Sequence, residues 1–373
     1  MELRYAGGMS ASKQGLAELE NWEILRSFLP PEWAEQARRL GAMRRTRYIS
    51  DPETVLRVLL LHLASGCSLA ETAARASAAG LAQISAVGVF KRLRAAEPWV
   101  RWLAQQMRGV ADLPMAVAGR RVRAIDATSV SEPGSTGTDW KVHWAVNLAD
   151  LQCDFFELTD VHAGGETFRR VPVVAGDIVM GDRVYAAPPG VAHVVRSEGD
   201  VVVRLNRQAL PLFAHGRRTA LLPFLRGLKG KTPGVRATDV RDPQGGWIAG
   251  QLIALRQSAE ATRRAQQGQG TASAEALEFA AYFLVWTTLP AAFPIAAILD
   301  LYRLRWQIEL VFKRMKSILG LGHLPKKDPL SAKAWLEGKL FTGLLIERMV
   351  RSAETFSPWG YALAVPSQSV AGG

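Results

Sequence analysis

The sequence predicts an α/β protein, with a mixed-sheet core, a helical N-terminal domain and a β-rich insertion. Three observations carry that prediction. Apolar residues recur at helical spacing from Trp22 to about Arg108. After Gly119 the period changes to that of strands. The strand patterns then come as a consecutive trio and afterwards alternate with helical stretches, which describes a mixed sheet. A chain of 373 residues, 48% hydrophobic, has material for one large core or two to three modest ones.

Residues 1–20 read as a loose leader, and 21–118 as the helical domain. Leu25, Phe28 and Leu29 share a helical face before Pro30-Pro31. Ser50-Asp51-Pro52-Glu53 reads as a helix start with Ser50 as N-cap and Glu53 closing a capping box. Val55, Leu56, Leu59, Leu60 and Leu63 then follow on one face until Gly66. Ser68 and Glu71 make a second capping box. A third helix is expected over Ala86 to Ala95, carrying Lys91, Arg92 and Arg94. The short helices around a break at Gly80 suit a helix-turn-helix that reads DNA; the other reading is an ordinary bundle with a basic edge.

The core begins at 119. Its first part, 119–206, holds expected strands from Val122 to Val130, Val142 to Leu148, Cys153 to Thr159, Ile178 to Val184 and Val201 to Leu205. A short helix is expected over Gly165 to Val171, stopped by Pro172. Residues 207–277 break the rhythm, being rich in Gly, Arg and Gln. They contain strand candidates at Val235 to Val240 and Trp247 to Leu255 and a flexible tip at Gln266 to Ser273, and read as the insertion. The core resumes over 278–330, with a strand from Phe283 to Thr288 and one long helix from near Pro294 to about Leu319. A final helix, about Ala332 to Glu354, and a loose tail fill 331–373.

Charge narrows the function classes. Lys and Arg number 46 against 34 Asp and Glu, a formal net charge of +12, which favours a polyanionic partner. The two cysteines, Cys67 and Cys153, lie far apart. They support neither a disulfide framework nor a zinc site, and fit a reducing cytoplasm. Neither a signal peptide nor a membrane span is expected: the run Val55 to Ala64 is short and contains Arg57 and His62.

Three carboxylates stand out. Asp126 sits in the apolar strand Arg-Ala-Ile-Asp-Ala-Thr-Ser, and Asp182 ends the strand of Ile-Val-Met-Gly-Asp-Arg-Val-Tyr. Aspartate is depleted in strands, and a buried unpaired charge is costly, so each needs a partner. Glu309 lies on a helix where Tyr302, Arg305, Glu309 and Lys316 fall within a stripe about 60° wide at ~100° per residue. Leu301, Leu304, Ile308, Phe312, Met315 and Leu319 form the adjacent apolar face. Arg305 and Glu309 alone read equally as an ordinary i,i+4 pair. Two strand-end aspartates with a helical glutamate are better explained by a divalent cation, Mg²⁺ or Mn²⁺, which prefers carboxylate oxygens and keeps open water positions. Two such cations about 4 Å apart suit in-line phosphoryl displacement.

The spacing Tyr302-x2-Arg305-x3-Glu309-x6-Lys316 resembles the Y-R-E-K signature of transposases of the insertion-sequence-four class. The run Arg-Trp-Gln-Ile-Glu-Leu-Val-Phe-Lys around Glu309, Asp182-Arg183-x-Tyr185, and Ile125-Asp126-x-Thr128 are also similar to blocks of that family. The resemblance spans about residues 20 to 330. It implies a ribonuclease-H-like core whose Asp126, Asp182 and Glu309 form a DDE triad of metal ligands, with two Mg²⁺ or Mn²⁺ ions. It also implies nicking and strand transfer on double-stranded DNA, at terminal inverted repeats and target. In such relatives Tyr302, Arg305 and Lys316 hold phosphates, and Arg183 is placed with them as a DNA contact. An aromatic of the strand before the glutamate helix stacks on a flipped base in some relatives; position suggests Phe283, with Trp286 as rival, and both also read as core residues. The long step from Asp182 to Glu309 fits a β-rich insertion before the last catalytic helix. Pairing of two DNA ends implies a homodimer on DNA, in the bacterial cytoplasm at the nucleoid. The alternatives are an inactive or domesticated DNA-binding relative and a cellular ribonuclease-H-like nuclease.

Overall fold

Helix N-caps place the first elements of the chain. In the computed structural model, residues 22–44, 49–109, 119–267, 273–322, 324–325 and 328–354 are described. The expected leader, the tail after Pro358 and residues 268–272 of the expected tip lie outside them. The chain divides into two compact units: a helical one (Met1–Arg108, Val130–Thr138, Arg314–Gly373) and an α/β one (Gly109–Ser129, Asp139–Lys313).

The helical unit contains α1 (Trp22–Ser27), α2 (Trp33–Arg39), α3 (Pro52–Leu63), α4 (Leu69–Ala78), α5 (Ala86–Gln106) and α12 (Pro329–Glu354). The N-cap of α3 is Asp51, not Ser50: its side chain accepts from Thr54 N at 2.7 Å. Proline explains the shift. Pro52 suits the first helical position and bars the residue before it from helical geometry, so Asp51 is extended. The Ser68–Glu71 capping box of α4 forms as expected. Gly80, at φ +69°, turns the chain after α4, and Ser85 caps α5. That last helix does not stop at Ala95. It runs through Pro98 to Gln106, because Trp99, Val100, Leu103 and Ala104 are fully buried and offset the lost backbone hydrogen bond. Helix α12 packs along α5, and buried Lys339 of α12 donates to the Leu63 carbonyl at the end of α3, 2.6 Å away.

The α/β unit is built on one ten-stranded sheet in the order β3-β2-β1-β4-β5-β10-β9-β8-β6-β7. Its strands are β1 (Val122–Val130), β2 (Trp140–Asn147), β3 (Cys153–Asp160), β4 (Ile178–Gly181), β5 (Asp200–Arg204), β6 (Phe213–Ala214), β7 (Arg217–Arg218), β8 (Gly234–Arg241), β9 (Trp247–Arg256) and β10 (Tyr282–Thr287). Strands β1, β4 and β5 run parallel, and β10 is antiparallel to both β5 and β9. The order β3-β2-β1-β4-β5 agrees with the ribonuclease-H-like core expected above. Strands from residues 207–277 extend the same sheet beyond β10. One face is sealed by α6 (Pro188–Arg196), a helix the periodicity left unread, with Ile125, Val179, Val203 and Trp286 in the core. Helices α7 (Leu221–Arg226), α8 (Ala259–Gln267) and α9 (Ala274–Phe279) were likewise unread; each has at most nine residues, too few to set a clear period.

Three further elements depart from expectation. The segment Gly165 to Val171 forms only a 3₁₀ turn, Phe168–Arg170, because Thr167 caps it and Pro172 follows. Strand β4 ends at Gly181 and not at Val184. The Asp182 carboxylate accepts from Val184 N at 2.8 Å, and a Cβ on Gly181 would lie 2.7 Å from that of Tyr185. The chain therefore folds back there in an Asx turn. The long helix is two, α10 (Ile295–Leu304) and α11 (Gln307–Ser317). Between them the amides of Arg305, Trp306, Ile308 and Glu309 bond three residues back, a tighter 3₁₀ geometry. The change of rotation turns Leu304 outward, to 45% exposure, while Leu301, Ile308, Phe312, Met315 and Leu319 stay buried.

The N-terminal ends of the parallel strands are pinned by ions. Buried Arg123 forks onto Asp154 with two bonds of 2.7 Å and reaches Asp177 at 3.4 Å. Arg121 binds Asp177 at 2.7 Å, and Arg120 binds Asp200 at 2.6 Å. These pairs tie β1, β3, β4 and β5 at one end and leave the opposite end for the carboxylates.

Candidate active site

Register brings Asp126 and Asp182 together. The pairing Val122↔Ile178, Arg123↔Val179 and Ala124↔Met180 ends two residues before each aspartate, and the charge of Asp182 acts on the Asp126 carboxyl. Asp126 lies midway along β1 and Asp182 directly follows the carboxyl end of β4, the end at which open α/β sheets bind ligands. Ile125 and Val179 belong to the core on one face, so Asp126 and Asp182 face the other. Burial pushes the Asp126 carboxyl up to about 6. The Ala127 amide, donating to it at 2.8 Å, opposes this; the charge of Asp182 adds to it; Arg305 opposes it again.

Glu309 enters through Arg305. The Arg305 guanidinium donates from Nη2 to Glu309 Oε1 at 2.7 Å and lies, through Nη1, 3.5 Å from Asp126 Oδ2. Its own side chain is 14% exposed, and that of Glu309 is 44% exposed. Among the described residues, no three of His, Cys, Asp and Glu stand close enough to hold a metal ion. The structure thus brings the two aspartates together and joins Glu309 to Asp126 by an arginine. The donor set is all carboxylate oxygen, and burial holds the Asp126 carboxyl at about 6 despite the charge of Arg305. Those two features fit a hard divalent cation at the aspartates.

Cations and aromatics surround this face. Tyr302 is buried, and burial lifts it to about 12 against the opposing charges of Arg305 and Arg204. Its ring meets Phe283 edge-on at 5.6 Å and lies 5.7 Å from the Arg305 guanidinium. Phe283 is half-buried under Arg204, 5.2 Å away. Trp286 is fully buried on the opposite face and donates to Thr238 Oγ1 at 3.1 Å, so its ring has no face to offer a base; it is a core residue. Arg183 is exposed beside Asp182. Lys316, half-buried, lies two turns beyond Glu309 on α11.

The sequence reading missed Arg204 and Tyr185 as parts of this site. Arg204 ends β5, and its Nε is buried without a protein partner; burial, then the charge of Arg183, lowers its pKa. An arginine ending an apolar strand beside two aspartate-ended strands was the available signal. In the sequence Tyr185 stands out only through the Asp182-Arg183-x-Tyr185 motif. It is buried with its hydroxyl unpaired, and burial, then the charges of Glu166, Asp126 and Asp182, raise its pKa well above the ordinary value.

The helical unit carries a basic cleft of about 1650 Å³, lined among others by Arg44, Lys91, Arg92, Arg94 and Lys333 against one carboxylate, Glu97. No helix among the described residues is long and apolar enough to cross a membrane.

Comparison with known proteins agrees with this chemistry. Residues 118–345 match the family model described as the transposase DDE domain. The chain is 34% identical, over 91% of its length and 96% of theirs, to two proteins of Escherichia coli. One is the putative transposase InsL of insertion sequence element IS186A, from strain K12; the other is the transposase of insertion sequence element IS421. Family model and relatives together cover sheet, site and helical region, and the chain belongs to the DDE transposases of the insertion-sequence-four class.

Proposed function

We propose that Asp126, Asp182 and Glu309 are the catalytic carboxylates with which this transposase nicks DNA and transfers strands at the ends of an insertion sequence. The observation that carries this is the approach of Asp126 and Asp182 from adjacent parallel strands, with the Asp126 carboxyl held near 6. Divalent metal ions are used generally in the family; here we infer two Mg²⁺ or Mn²⁺ ions held by these three side chains. Their chemistry, when bound, is to activate a water or a DNA 3′-hydroxyl and to neutralise the leaving 3′-oxygen.

The chain's own residues do the rest. Arg305, Arg183, Arg204 and Lys316 bind the phosphates flanking the scissile bond, each a charge-assisted contact. Phe283 offers the edge of its ring to an unstacked base, and Tyr302 backs both Phe283 and Arg305. The helical region 21–118 binds duplex DNA, a reading supported by the basic cleft and by the turn at Gly80 ahead of α5. In this division the catalytic segments 119–206 and 278–330 flank the insertion 207–277, and 331–373 closes the chain. Two copies act as a homodimer on paired ends, in the bacterial cytoplasm at the nucleoid.

The test is direct. Purified protein is incubated with Mg²⁺ and the DNA bracketing its own gene, and nicks are mapped to the nucleotide. Asp182→Asn is expected to abolish cleavage while leaving DNA binding largely intact. Full activity in that variant would remove Asp182 from the site.

A further inference from the structure

One guanidinium spans two carboxylates that come from opposite ends of the α/β unit's sequence. Arg305 grips Glu309 at 2.7 Å and stands 3.5 Å from Asp126, 179 residues away in the chain. An ordinary helical i,i+4 pair is exposed and involves one helix. This one is different on three counts. The arginine is 14% exposed; its third side-chain nitrogen, Nε, is buried without a protein partner; and it sits at the 3₁₀ break between α10 and α11, which aims it at β1 instead of along α11. The ring of Tyr302, 5.7 Å away, gives the guanidinium a second surface to rest on.

We propose that Arg305 is a latch: it occupies the space between Asp126 and Glu309 and yields it to a divalent cation when a DNA phosphate takes the guanidinium. The inference rests on the assignment of Asp126, Asp182 and Glu309 given above. A guanidinium and a divalent cation compete for the same carboxylate oxygens. While Arg305 holds Glu309, the cation meets only part of its ligand set, and its apparent affinity falls by the fraction of molecules with the latch open. A phosphate offers Arg305 a bidentate partner and the unpaired Nε a bond. DNA binding therefore opens the metal site, and by linkage the bound metal tightens DNA. The arrangement couples cation loading to the presence of substrate and keeps a nuclease site incomplete away from DNA.

The experiment measures Mn²⁺ affinity of the full chain by electron paramagnetic resonance, without DNA and then with a short duplex from the element's end. The variants are Arg305→Lys, Arg305→Ala and Asp182→Asn. Lysine keeps the positive charge but cannot fork onto two carboxylates. The latch predicts that Arg305→Lys gains Mn²⁺ affinity without DNA by about tenfold and that Arg305→Ala gains at least as much. It also predicts that duplex DNA tightens Mn²⁺ binding of the unaltered chain but not of either Arg305 variant. A gain in Arg305→Ala with none in Arg305→Lys would reduce the effect to bare charge and overturn the latch. So would equal affinity in all three Arg305 forms while Asp182→Asn weakens binding, an outcome that leaves the carboxylate assignment standing. If Asp182→Asn changes nothing in any background, the metal assignment itself fails. Circular dichroism of each variant checks the fold, and Arg305→Lys alone decides the matter if Arg305→Ala does not fold.

Discussion

Asp126 bears an energetic cost that the proposed cation would offset. Its carboxyl titrates near 6 in the folded chain against an ordinary value of 3.8, chiefly because it is buried. The folded state thus holds a proton that the unfolded state has released between those values, and stability falls as pH rises through that window. Without divalent cation, Asp126→Asn is therefore expected to be more stable than the unaltered chain above pH 6, by on the order of 3 kcal/mol. The difference should shrink toward pH 4; chemical denaturation across pH 4 to 8 measures it, and an equal difference at both ends would disprove the cause. Phe283 and Trp286 separate by face in the same way. Trp286→Ala should cost about 3–5 kcal/mol of stability. Phe283→Ala should cost less than half of that and weaken binding of DNA ends, by urea unfolding and gel shift respectively. At this scale the carboxylates were legible because aspartate in an apolar strand is conspicuous. The face of each strand aromatic was not, since an unbroken apolar strand carries no alternation to read.

Helix α12 places ionisable groups where water is scarce. Glu337 is buried, and that burial, with the charge of Glu97, lifts it to about 7 from 4.5, while Arg101 and Lys333 oppose the shift. Stability from this carboxyl is present below pH 4.5 and is lost as pH rises through 7. Glu337→Gln should flatten the fall in melting temperature between pH 5 and pH 8, and calorimetry at those pH values checks it. Elements were legible where a cap or a long period marked them: α4 through its capping box, α12 through its length, β1 and β9 through their patterns. They were misread where tertiary contacts overrode local signals. Burial of Trp99 and its neighbours carries α5 past Pro98, and the turn at Asp182 cuts β4 short. The α10–α11 break lies at Arg305, whose guanidinium reaches Asp126, a contact the helical period cannot encode.

The whole molecule is a cation, at +12, and its encounter with DNA should depend steeply on salt. Lys316→Ala is expected to weaken end-specific complexes and lower the slope of log affinity against log salt by about one. An unchanged slope would make Lys316 an ordinary surface lysine. The mixed sheet and the strands of the insertion were visible as changes of period and composition. That these strands join the same sheet was not, because a sequence shows where strands are and not which edges they find.

The pairing of β1 with β4 ahead of Asp126 and Asp182 has an evolutionary consequence. Both aspartates follow directly from the ladder of two adjoining strands, ~4.8 Å apart, and their placement owes nothing to the length of chain strung between them. The loops at 131–139 and 161–167 can grow, shrink or be exchanged across descendants without moving either aspartate, provided β2, β3 and the ion pairs that anchor β1 and β4 persist. A mobile element that must keep its cutting chemistry while changing which ends it recognises is well served by a site fixed in the weave of the sheet and indifferent to the loops around it.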